Sequence, residues 1–333
     1  MSEIRRRDLL IVVGALLLAP LSLVAQVPRS LKRVGALIPF EQSDAPAQRQ
    51  LAAFRGELKR LGWIEGQNVS FDIRWIGGDS TRFPAAAKAL VAAQPDIIFS
   101  RTTPITVALS RETQTIPIVF AVVSDPVGER LVKTLAHPGG NVTGFTNVES
   151  SLGGKWIALA KELDPHITRV MVLFDPDTAP GRGAYYLQSI EKVAASVGVT
   201  ITAAPVHSSA EIERAISSIA RQRNGAIVVP PDVTLGNNRK LIRELAARNR
   251  LVTVYGSSYF ADDGGLIAYG VEYLDMYRRA AAYVDRILRG ARADELPVQA
   301  PTTFELVLNL KTARALKIEV PPSILTRVDR LIE

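Results

Sequence analysis

Polar and aromatic side chains in this sequence gather where apolar runs stop. Phe40 follows the run that ends at Ile38, and Arg101, Thr102 and Thr103 follow Asp96–Ser100. Asp125 comes after Ile118–Val123, Asp175 after Arg169–Phe174 and Asp232 after Ala226–Val229, while Tyr255 and Tyr269 close two further runs. Short apolar runs bounded by turn residues predict strands buried on both faces, and in parallel sheets ligands lie beyond the carboxyl ends of the strands. Hydroxyl, carboxylate and phenol groups collected there offer converging hydrogen bonds to a small polar molecule, and a guanidinium can hold a carboxylate through two parallel bonds. These nine residues form the candidate ligand-binding set. Each also has a purely structural reading. An Asp after a strand caps a helix or closes a turn, Thr102 and Thr103 could be N-cap hydroxyls, and Arg101 could pair with Asp125 or Glu129 and only order its surroundings.

Catalytic and metal chemistry finds little support. His137, His166 and His207 stand beside turns and outside any metal-ligand spacing, and without cysteine the chain has neither thiolate ligands nor disulfides. No glycine fingerprint for dinucleotides or phosphates occurs, and no G-x-S-x-G turn. Gly256-Ser257-Ser258 is the nearest approach to a nucleophile, with no base close in sequence. No catalytic residue, metal ligand or cofactor is expected, and the chain is not expected to be an enzyme. The net charge of +7 raises the question of nucleic acid. Outside Arg5–Arg7, however, the basic residues alternate with acidic ones at helical spacing, as on a solvated helix face. Trp63 lies beside a helix end, Trp75 ends a strand and Trp156 belongs to a helix stripe, so stacking against sugars is not expected.

The elements that must position the candidate residues alternate between strand and helix. The first strand is Leu31–Ile38. A helix opened by Pro46 follows, with Leu51, Phe54, Leu58 and Leu61 on one face and Gly62 at a left-handed C-cap. Then come strand Val69–Trp75, helix Phe83–Val91 and strands Asp96–Ser100 and Ile118–Val123. Val127, Leu131, Val132 and Leu135 predict a helix ended by Pro138-Gly139-Gly140. Val142–Phe145 reads as a strand crossing to a second unit, in which helix Leu152–Leu163, strand Arg169–Phe174, helix Gly183–Val197, strand Val199–Val206, helix Ala210–Arg221 and strand Ala226–Val229 repeat the pattern. Helix Asn237–Asn249, strands Leu251–Tyr255 and Leu266–Tyr269, helix Tyr273–Leu288 and strand Thr303–Leu308 complete it. With 333 residues and 47% hydrophobic content the chain is long enough for two cores.

The Ser124-Asp-Pro-Val turn and the exit His137-Pro-Gly-Gly-Asn-Val-Thr-Gly144 resemble the tryptophan-transporter-like branch of ABC transporter substrate-binding proteins. So do Leu61-Gly-Trp-Ile-Glu-Gly-Gln-Asn68, Tyr277-Arg-Arg-Ala-Ala-Ala-Tyr-Val-Asp285, Leu296-Pro-Val-Gln299 and Phe304-Glu-Leu-Val-Leu-Asn-Leu-Lys311. The resemblance implies a type 1 periplasmic-binding-protein fold, with two doubly wound parallel-sheet lobes joined by a hinge of three crossings. It also implies a ligand captured as the lobes close and an ABC transporter membrane permease as partner; with no Trp at a strand-end loop, an amino acid or related organic acid is expected ahead of a sugar. Relatives usually carry a small residue just before the Thr-Pro of the loop in which Arg101 stands here.

The expected boundaries are 1–26 for an export signal, 31–144 plus 270–297 for the N-terminal lobe, and 145–269 plus 298–333 for the C-terminal lobe. Arg5–Arg7, the apolar core Leu9–Ala19, Pro20 and the small residues up to Ala25 carry the first of these. They lead to the expectation of a cleaved, periplasmic, monomeric protein. The alternative is an uncleaved N-terminal helix that would make the chain a membrane-anchored sensing ectodomain.

Overall fold

The computed structural model describes residues 31–149 and 151–333, so the expected export signal lies outside the described residues. Two sheets organise the fold. The first contains β1 (Lys32–Ile38), β2 (Val69–Trp75), β3 (Ile97–Arg101), β4 (Ile118–Val123) and β5 (Val142–Thr146) in the order β2-β1-β3-β4-β5, all parallel. Helices α1 (Ala45–Arg60), α2 (Phe83–Ala92) and α3 (Thr103–Glu112) connect its strands. Leu51, Phe54 and Leu58 recur at helical spacing on α1 and are buried, with Phe54 stacked on Phe99 of β3 at 4.2 Å between ring centroids. Gly62 takes the left-handed conformation that ends the helix, φ +95°.

The second sheet contains β6 (Arg169–Phe174), β7 (Thr200–Pro205), β8 (Gly225–Val229), β9 (Val252–Tyr255), β10 (Ile267–Val271), β11 (Phe304–Asn309) and β12 (Arg330–Ile332) in the order β12-β11-β10-β9-β8-β6-β7. Its helices are α4 (Leu152–Leu163), α5 (Ala184–Ala194), α6 (Ser209–Ala220), α7 (Val233–Asn237), α8 (Arg239–Arg248) and α9 (Ser258–Asp262). One pair departs from the parallel pattern, since β11 runs antiparallel to β10. The long helix α10 (Tyr273–Leu288) leaves β10 but packs on the first sheet, where Tyr277 meets Phe99 at 5.3 Å and Tyr283 meets Phe145 at 4.7 Å. The helices α11 (Leu310–Leu316) and α12 (Pro322–Leu325) follow β11.

The chain passes between the sheets after β5, between β10 and α10, and again before β11. Gln299 ties the first and third passages together: its N–H donates to Gly144 O and its carbonyl accepts from Thr146 N, both at 3.0 Å. At Gly144, φ is +153° and a Cβ would lie 2.1 Å from the carbonyl oxygen of Phe120, so only glycine fits there.

Two expectations are corrected. Val127–Leu135 is not a helix: Arg130 adopts φ +57° and breaks the chain after one turn. The stripe is only half buried, Leu131 and Val132 facing in while Val127 and Leu135 are 43% and 39% exposed. Val142–Phe145 does not cross between the units: β5 pairs with β4 along its length, with one register shift between Ala121 and Val123, and the crossing begins beyond it.

Candidate functional site

A strand order that reverses leaves a crevice where the connections diverge to opposite faces, and ligands settle there. Both sheets have such a point, between β1 and β3 in the first and between β6 and β8 in the second. The loops from these two points face one another and line a small cavity, of about 30 Å³ in this conformation.

The first lobe contributes Phe40, Arg101, Thr102, Thr103, Val122 and Ser124, with Asn147 from the end of β5. Arg101 is 3% exposed and, among the described residues, forms no ion pair; its guanidinium lies over the Phe40 ring at 4.1 Å. Its Nε and Nη1 have no hydrogen-bond partner, and neither do Thr102 Oγ1 and Asn147 Nδ2. Buried polar groups are almost always paired, so four such atoms on one cavity wall identify a surface built to meet something polar. Three of the four are N–H donors, which selects an acceptor-rich partner.

The backbone of this wall is strained. Thr102 takes φ +74°, ψ +153° and Val122 takes φ +61°, conformations that branched side chains rarely adopt and that cost about 1–3 kcal/mol each. Both are held in place, Thr102 N donating to Ala121 O at 3.1 Å and Val122 N to Met276 Sδ at 3.2 Å.

The second lobe contributes Thr178, Pro180, Tyr186, Pro231, Asp232 and Tyr259, and Tyr273 comes from the start of α10. Here the polar groups are satisfied. Asp232 caps α7 through Leu235 N at 3.1 Å and accepts from Asp175 N and Thr178 Oγ1, each at 3.1 Å. Its Oδ1 accepts one bond only and so retains accepting capacity. Burial outweighs these bonds and pushes its pKa up to about 6. Tyr186 donates to Pro231 O at 2.6 Å and meets Ser124 Oγ of the first lobe at 3.0 Å; burial drives its pKa well above the ordinary phenol value.

The lobes touch around the cavity. Asn237 Nδ2 donates to Pro39 O at 3.1 Å, Gly181 N to Glu129 Oε1 at 3.0 Å and Arg239 Nη1 to Asp44 Oδ2 at 2.6 Å. These contacts join opposite lips of the cleft, so the described conformation is a closed one.

A family model for ABC transporter substrate binding protein matches residues 44–332. The chain belongs to that family. It is similar to the tyrosine-binding protein of Clostridioides difficile (strain R20291), 26% identical over 270 residues, 80% of this chain and 77% of that one. It also resembles the ABC domain in complex with L-Trp from Streptococcus pneumonia, with TM-score 0.83 and 25% identity over 91% of this chain and 100% of that one. A conserved domain protein from Vibrio cholerae gives TM-score 0.83 and 28% identity over 90% and 99%.

Of the residues singled out in the sequence, this substrate-binding protein brings Phe40, Arg101, Thr102, Thr103 and Asp232 to the cavity wall. The other four lie away from it. Asp125 accepts Gly128 N at 2.8 Å and closes its own turn. Asp175 lies behind Asp232, accepting from Thr234 Oγ1 at 2.5 Å and Asp177 N at 2.9 Å, and it serves the cavity only through its backbone N–H. Tyr255 is buried against Phe260 and Tyr269 stacks on Phe304, both beyond the reversal of strand order. Arg101 pairs with neither Asp125 nor Glu129. Ser257 Oγ meets Tyr273 OH at 2.8 Å rather than an imidazole or a carboxylate.

Ser124, Asn147, Thr178, Tyr186, Tyr259 and Tyr273 line the cavity but were not singled out. Ser124, Thr178 and Tyr259 belong to loops already recognised as strand ends, whereas Tyr186 and Tyr273 sit inside helical patterns that disguise them. His207, outside any local metal spacing, comes within 3.2 Å of both Asp175 and Asp177. These three are the group among the described residues whose geometry could hold a metal ion. Among the described residues no helix is long and apolar enough to cross a membrane.

Proposed function

We propose that this chain is the exported solute-binding component of an ABC importer, a monomer that captures an amino acid or a closely related organic acid between two closing lobes and presents the closed form to a membrane permease. The observation that carries the reading is the unpartnered donor set on the first wall. Arg101, Thr102 and Asn147 receive the ligand carboxylate, and Asp232 on the facing wall receives its ammonium group. Phe40 holds the guanidinium from behind, and the rings of Tyr186, Tyr259 and Tyr273, with Pro180 and Pro231, enclose the remainder of the ligand. L-Trp and tyrosine in the names of similar proteins support an aromatic amino acid as first candidate.

Capture works because the ligand touches both walls. Each wall binds one end, so only the closed state collects the whole interaction energy, and the three passages between the sheets absorb the movement. A dissociation constant near 1 μM corresponds to about 8 kcal/mol. A thermal-shift screen of amino acids, their decarboxylated amines, organic acids and sugars tests the reading. Amino acids at about 100 times their dissociation constant are expected to add roughly 2.7 kcal/mol, and a response confined to sugars or to the amines would overturn it.

A further inference from the structure

Tyr259 and Tyr273 have a second side. Beyond them the interlobe cleft opens into another cavity, of about 260 Å³, whose wall includes Gln50 of α1, Ser258 and Asp262 of α9, Glu272 and Glu305. We propose that this second chamber is a binding site for a small organic cation bearing ammonium or guanidinium groups, and that closure of the lobes completes it.

Its chemistry reverses that of the first chamber. Gln50 is 4% exposed and its Oε1 is a buried acceptor with no partner, so this wall asks for a donor. Three carboxylates, on Asp262, Glu272 and Glu305, face two guanidinium groups, on Arg49 and Arg330. Arg330 is bonded to Asp262 and lies 3.6 Å from Glu305, and Arg49 lies 3.8 Å from Asp262. Glu272 has no cationic partner among the described residues and spends its oxygens on Leu274 N and Asp275 N, at 2.9 and 2.6 Å. Burial raises the pKa of Glu305, against the opposing influence of Ser258 and of the Arg330 guanidinium. The carboxylates are spread along the wall and do not converge as metal ligands do. The two tyrosine rings, 5.9 Å apart between centroids, provide faces suited to an organic cation.

Gln50 and Arg49 belong to the first lobe and Ser258, Asp262, Glu305 and Arg330 to the second. An occupant that touches both favours the closed state and therefore tightens ligand binding in the first chamber, and reciprocally.

Calorimetry on the full chain with agmatine and putrescine tests the site, with 1,4-butanediol as the uncharged control. One diamine or agmatine per chain is expected, with affinity falling as salt is added and no detectable heat from butanediol. Glu305→Gln and, separately, Gln50→Leu are each expected to weaken agmatine at least five-fold with an unchanged circular dichroism spectrum. Indistinguishable behaviour of agmatine and butanediol, or agmatine affinity unchanged in both variants, overturns the proposal. Cation binding more than three-fold tighter in Arg101→Met also overturns it, because that result would put the cation in the first chamber.

Discussion

The two walls of the central cavity come from equivalent points of two similar sheets and are finished in opposite ways. The first-lobe wall leaves Arg101 Nε and Nη1, Thr102 Oγ1 and Asn147 Nδ2 unpartnered and sets Thr102 and Val122 in strained backbone conformations. On the second-lobe wall, Asp232 accepts three hydrogen bonds and Tyr186 has two partners. One wall stores unfavourable energy that a partner can release, whereas the other supplies a fixed surface to close against. A protein that must distinguish occupied from unoccupied needs such an asymmetry, because a fully satisfied cleft would close regardless of its ligand.

The comparison is broken most severely at Arg101. A buried guanidinium with no anionic partner among the described residues is an uncompensated charge, and taking an ion out of water costs several kcal/mol that an apolar side chain does not incur. Arg101→Met is therefore expected to raise the unfolding midpoint of the ligand-free protein while weakening acid binding. Arg101→Ala is expected to lose about 1.5–3 kcal/mol of binding in calorimetry. Unchanged affinity would reduce Arg101 to a structural residue.

Asp232 sharpens the comparison through pH. Its folded pKa of about 6 lies above the ordinary carboxylate value of 3.8. It therefore favours the folded state fully below about pH 4, and that contribution is lost as pH rises through 6. A bound ammonium group pulls the pKa down again, so ligand binding near pH 5.5 should release a proton, and affinity should fall by up to about ten-fold per unit below pH 6. Calorimetry in buffers of different ionisation enthalpy measures the proton, and Asp232→Asn should abolish its release.

Strain gives a smaller effect. Thr102→Gly removes a cost of about 1–3 kcal/mol and adds about 0.5–1 kcal/mol of chain entropy. A net gain near 1 kcal/mol in urea unfolding is expected, with weaker ligand binding. A loss of stability would show that Thr102 is not strained. The smallest effect is expected for Asn147→Ala, about 0.5–1.5 kcal/mol of affinity, the value of one hydrogen bond. An effect equal to that of Arg101→Ala would mean that the donors act as one unit.

Much of the architecture was legible because burial on both faces leaves continuous apolar runs. β2, β4, β6, α4 and α10 occupy the spans that periodicity predicts. Val127–Leu135 failed because four apolar residues at helical spacing do not reveal a backbone reversal at Arg130. Within the candidate set, strand ends were recognised but not the strand order. Phe40, Arg101 and Asp232 stand at the reversal points, and Asp125, Tyr255 and Tyr269 stand beyond them. Order in a sheet is set by long-range pairing that no local window contains. Tyr186 and Tyr273 were hidden for a related reason, since a helix stripe looks alike whether it faces a core or a cavity.

The pair formed by Arg239 and Asp44 has a kinetic consequence. Asp44 also caps α1 through Ala47 N at 2.9 Å, and Arg239 also holds Asp263 of its own lobe at 2.5 Å, so each partner is anchored before the lips meet. Opening separates charges that stay oriented toward one another. The pair thus acts on how long a captured solute remains, whereas the walls decide which solute is captured. Added salt, which screens this outer pair more than the buried Arg101, should shorten the residence time with little change in selectivity.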